Sequence, residues 1–123
     1  MTTLVEMLKR WAELEPDRCS LHRHIIGGLH VLASAGHWLG ITQDEIDWSD
    51  YARTQVAVQY AIVSRNLQAT LENTAHIWLA TVKRPITAAG CPYLACATDT
   101  EPALALLKAY INSLEHEQQE ATP

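Results

Sequence analysis

Between Trp48 and Glu117 the hydrophobic pattern of this chain changes period twice, and no single kind of element can follow both periods. Leu67-Gln68-Ala69-Thr70-Leu71-Glu72 alternates strictly between apolar and polar residues, whereas Leu104, Leu107, Ile111 and Leu114 recur at helical spacing. Alternation gathers the apolar side chains of a strand on one face, and spacing by three and four does the same for a helix. An α+β architecture is therefore expected. It would combine an antiparallel sheet of about three to five strands with about three helices, in the order α-ββ-α-βββ-α; a mostly helical bundle is the alternative.

Local signals place the elements. Leu4, Met7, Leu8, Trp11 and Leu14 mark a helix over 3–15, opened by a Thr3/Glu6 capping box and limited by Pro16. Gly27-Gly28, between two apolar runs, predicts a two-residue hairpin turn that would pair Ile26 with Leu29 and His24 with Val31. A single helix across these glycines is the competing reading, disfavoured by the propensity cost of about 1 kcal/mol for each glycine. Residues 34–47, with Gly36 and Gly40, suggest a loop. A second helix is expected to run to Arg65, with Trp48, Tyr51, Ala52, Val56, Val58, Ile62 and Val63 on its apolar arc. Asn73-Thr74 is the expected turn after the first strand, followed by strands at 76–82 and 93–98. Thr100 is the expected cap of the last helix. A single domain over 1–117 with a frayed acidic tail at 118–123 follows from this pass.

The 123 residues are enough to bury a core without disulfides or a metal, and 48 % hydrophobic with 19 % charged residues is an ordinary globular balance. A net charge of −5 disfavours nucleic acid, whose phosphates are held by basic side chains. No apolar run is long enough for a membrane span, and the start of the chain lacks a signal-peptide pattern, so a cytoplasmic location is expected. Cys19, Cys91 and Cys96 have no metal-type spacing and are expected as free thiols.

His22, His24, His30 and His37 crowd one segment, and imidazole is a common metal ligand. With the turn at Gly27-Gly28, His22 and His24 share a face and His30 takes the other, so His22 and His24 are the only metal candidates and no metal or cofactor is expected. No nucleotide-binding glycine pattern, nucleophile elbow or paired carboxylates nominate a catalytic residue. Trp38, in the Gly-flanked run His37-Trp38-Leu39-Gly40, is the candidate anchor for a partner; a plug over the core is its other reading.

The runs Tyr60-Ala61-Ile62-Val63-Ser64-Arg65-Asn66-Leu67 and Tyr93 to Tyr110 resemble small phage and prophage domains of the ABA-sandwich type, over about residues 48–117. Such domains have no established chemistry, so the resemblance transfers no functional residue. The element order is also similar to that of double-stranded-RNA-binding domains. Their lysine-rich start to the last helix is absent from Thr100-Glu101-Pro102-Ala103. The expectation is a non-enzymatic accessory protein, phage or mobile-element encoded, that binds an unidentified protein partner, with a homo-oligomer allowed. The alternatives are a small-ligand or metal-binding protein using residues 19–38, and an RNA-binding module.

Overall fold

A computed structural model describes residues 4–23, 29–33, 37–41, 48–85 and 93–121, with side chains at 4–20, 50–85 and 94–119. The chain is α+β, its described residues forming three helices and antiparallel sheets. In order its elements are α1 (Leu4–Leu14), β1 (Ser20–Arg23), β2 (Leu29–Ala33), β3 (His37–Ile41), α2 (Trp48–Ser64), β4 (Gln68–Thr74), β5 (Ile77–Lys83), β6 (Tyr93–Asp99) and α3 (Pro102–Ala121). The strands form two sheets, β1-β2-β3 and β4-β5-β6, antiparallel throughout.

The core is built around α3. Leu104, Leu107, Ile111 and Leu114 are buried as the apolar stripe predicts, and so are Ala103, Ala105, Leu106, Ala109, Tyr110 and Ser113 on its other sides. A helix apolar nearly all round has to be covered nearly all round. β5 and β6 supply one cover through Ala80, Val82 and Leu94, and α1 and α2 supply the rest through Leu8, Trp11, Ala57, Val58 and Ala61. The far face of β4-β5-β6 carries Thr70, Glu72, Thr98 and Cys96 in exposed positions, as expected for an antiparallel sheet with one wet side.

Several boundaries differ from the sequence reading, each for a local reason. The segment 34–47 holds a strand, β3, with Gly40 opposite His30 and Trp38 opposite Leu32. Its edge-to-edge partner β2 stabilises an extended run that glycine content alone disfavours. β1 ends at Arg23, which pairs with Leu29, so the connection spans 24–28 and the expected pairing of Ile26 with Leu29 does not form. That offset is an odd number of residues and reverses the faces: His22 stands opposite His30 in the ladder. His24, Cys91 and the turn glycines Gly27 and Gly28 lie outside the described residues.

The β4-β5 turn falls on Ala75-His76, both at positive φ (47° and 72°), and Asn73 stays in the ladder opposite Trp78. At α3 the Asp99 carboxylate accepts the Glu101 N–H at 2.9 Å, and the Glu101 carbonyl accepts the first helical bond from Ala105. Asp99 and Glu101 therefore serve where Thr100 was expected, and Pro102 takes the first helical position, where its missing N–H costs nothing. α3 continues to Ala121, past the expected fraying point. Glu115 is tied to Arg10 at 2.9 Å and Glu117 to Arg65.

Candidate interaction surface

The main correction concerns α2. The apolar arc read from its sequence contains Val56 and Val63, yet these are 49 % and 74 % exposed, and Tyr60 beside them is 54 % exposed. The buried arc consists of Asp50, Thr54, Ala57, Val58, Ala61 and Ile62. Small side chains decide this. Thr54, Ala57 and Ala61 let α2 approach α3 closely, and the Thr54 hydroxyl donates to the Asp50 carbonyl at 2.7 Å, so its polarity is satisfied within the helix. Ala52, Val56, Tyr60 and Val63 are left as an outward stripe.

That stripe borders a groove. Gln59, Ile62 and Val63 of α2 form one wall, Leu67 to Leu71 the other, and Leu106 of α3 the floor, enclosing about 760 Å³. Among the described residues the wall strand, β4, is an edge of its sheet, with β5 on one side only. Across the two-residue turn Thr74 pairs with Ile77, and hydrogen-bonded and non-hydrogen-bonded pairs alternate from there. Main-chain groups of Thr70, Glu72 and Thr74 thus face β5. Those of Ala69, Leu71 and Asn73 face away from the sheet.

The same count leaves Cys96 and Thr98 facing outward on β6, the opposite edge. There the Asn112 side chain of α3 donates to the Cys96 carbonyl at 3.2 Å, covering part of that edge. β4 has no proline and a single charged residue, Glu72, so it lacks the usual devices that keep an edge strand from pairing.

A partly buried polar knot lies just past the C-terminal end of α2, where Arg65 follows Val63 and Ser64. Glu15 accepts from the Trp11 indole N–H at 3.1 Å, from the Tyr110 hydroxyl and from Arg18 at 3.2 Å, and the Arg65 guanidinium stands 3.7 Å away. Burial, then the hydrogen bond to Glu15, push the Tyr110 hydroxyl pKa up. Every member of this group fastens α1, α2 and α3 to one another, and it presents no nucleophile beside a base.

Of the residues singled out in the sequence, His22 lies in β1 and Trp38 in β3, the strand of β1-β2-β3 that packs against α2. Cys19 is buried, with its thiol 3.7 Å from the Leu8 carbonyl and its pKa pushed up to about 12 by burial and the Glu15 charge. No group of three or more His, Cys, Asp or Glu residues that could hold a metal ion occurs among the described residues. No helix among them is long and apolar enough to cross a membrane. The α2 stripe was missed because a helical wheel weights side chains by hydrophobicity and cannot know that alanines face the core. The chain matches no family model, no curated protein and no solved structure.

Proposed function

We propose that this is a non-enzymatic accessory protein that acts by binding another protein chain through the α2-β4 surface. The observation that carries the reading is the outer face of α2, where the bulky apolar residues Val56, Tyr60 and Val63 face solvent beside a strand that is an edge among the described residues. Apolar side chains bordering a groove, together with free main-chain donors and acceptors, are what strand addition and helix docking use. An intracellular setting belongs to the same reading, supported by the free thiols of Cys19 and Cys96. The resemblance of residues 48–117 to phage ABA-sandwich domains adds a mobile-element origin.

Affinity purification of tagged wild type and Val63→Asp from the native host, followed by mass spectrometry, tests the reading. A chain retained by wild type, itself or another protein, and lost with the variant is expected. Equal retention by both would overturn it.

A second reading, metal binding by residues 19–38, is favoured by one observation, the placement of His22 opposite His30. Zinc titration of wild type, His22→Ala and His30→Ala tests it; wild type that takes up no more zinc than the variants would dismiss it.

A further inference from the structure

We infer that the occupant of the α2-β4 surface is a second copy of this chain, with two β4 strands paired antiparallel about Leu71 to join two three-stranded sheets into one. This rests on the preceding reading and names its partner.

The register is the first argument. The outward-facing main-chain groups belong to Ala69, Leu71 and Asn73, a set symmetric about Leu71. A two-fold axis there pairs Leu71 with its own copy and Ala69 with Asn73 of the second copy, so each of the three exchanges its main-chain hydrogen bonds. Centring the pair on Ala69 or on Asn73 instead leaves the other two of these residues opposite positions outside β4.

Side-chain chemistry fits the same register. On the wet face Thr70 comes opposite Glu72 of the second copy and Gln68 opposite Thr74, so the only charge on the strand meets a hydroxyl and never its like. The core face brings the half-buried Leu71 beside its counterpart, directly over the groove.

Apolar area is the third argument. Strand pairing alone buries little, and stable dimers need about 800 Å² per partner. The α2 stripe lies beside the β4 edge, since Val63 lines the groove that β4 closes, and the same axis sets it against its copy. Three of the four large apolar side chains exposed among the described residues, Val56, Tyr60 and Val63, lie in this one patch. The other edge, β6, is partly covered by Asn112 and irregular near Val82 and Lys83, which leaves β4 as the edge prepared for pairing.

Sedimentation velocity of the purified full chain over a wide micromolar range tests the inference. Wild type is expected to sediment as a dimer. Ala69→Pro removes an outward N–H without touching the ladder to β5, and Val63→Arg places a charge on a position that is already exposed; both are expected to shift the chain to monomer with unchanged far-UV circular dichroism. Val63→Ile is expected to keep the dimer. A wild-type monomer at every concentration, or a dimer that survives both Ala69→Pro and Val63→Arg, overturns the inference. If wild type is monomeric while Val63→Asp still loses a different protein in the host purification, the broader reading stands and only the second copy fails.

Discussion

The Trp11 and Tyr110 rings meet edge to face, with centroids 5.9 Å apart and planes at 86°, and the polar atoms of both rings donate to the same Glu15 oxygen. The two rings, from the first and last helices, are fully buried, so their N–H and O–H have no access to water and depend on that one carboxylate. Glu15→Ala should therefore cost about 2 to 4 kcal/mol, because it leaves two buried donors unpaired. Glu13→Ala, which breaks an exposed pair with Arg10, should cost roughly 0.5 kcal/mol or less. Urea midpoints at constant slope compare the two; equal losses would contradict the arrangement.

Asp99 links β6 to α3 and makes stability depend on pH. Burial pushes its carboxyl up, but the Lys108 ammonium at 2.5 Å and the Glu101 N–H outweigh this and hold it below the ordinary carboxylate range. A carboxyl whose folded pKa is depressed contributes stability that is present above its unfolded pKa and lost as pH falls through the folded value. Asp99→Asn should lower stability by about 1 to 2 kcal/mol at neutral pH, and the gap to wild type should close in strong acid. A gap independent of pH would exclude the linkage.

The β4-β5 turn is a site for stabilisation. Ala75 and His76 hold positive φ, which costs an L-residue roughly 1 kcal/mol or more, and a two-residue turn of this kind favours an asparagine followed by a glycine. The double substitution Ala75→Asn with His76→Gly should raise stability by about 1 to 2 kcal/mol. Thermal unfolding checks it, and a lower midpoint would place the turn elsewhere.

Along α3, Leu107→Ala and Ile111→Ala should each cost about 2 to 5 kcal/mol through lost burial and the cavity left behind. Asn112 is exposed and its change to Ala should cost about 1 kcal/mol or less, the value of its bond to the Cys96 carbonyl. Lys108 is no free surface position, being paired with Asp99, so Lys108→Ala should lie between these limits. A series of urea midpoints in any other order would refute the placement of α3.

Thiol labelling reads the packing independently. Cys96 is exposed and Cys19 is buried with a raised pKa, so a maleimide should modify Cys96 in the folded protein and Cys19 only after unfolding. Peptide mapping distinguishes them, and rapid native labelling of Cys19 would contradict its burial.

Sequence alone determined the elements that a single periodicity defines. The stripe of α1, the strict alternation in β4 and the spacing of Leu107 and Ile111 are local patterns, and their periods specify helix or strand wherever the rest of the chain lies. Tertiary structure decided what depends on a neighbour. Gly40 is in a strand because β2 pairs with it, His22 stands opposite His30 because β1 stops at Arg23, and the turn moved to Ala75-His76 because the β4-β5 ladder runs its full length. The outward stripe of α2 belongs to this second group. Val56, Tyr60 and Val63 are larger than Thr54, Ala57 and Ala61, and only the close approach of α3 selects these small residues, with Val58 and Ile62, for the core and leaves those three large ones at the surface.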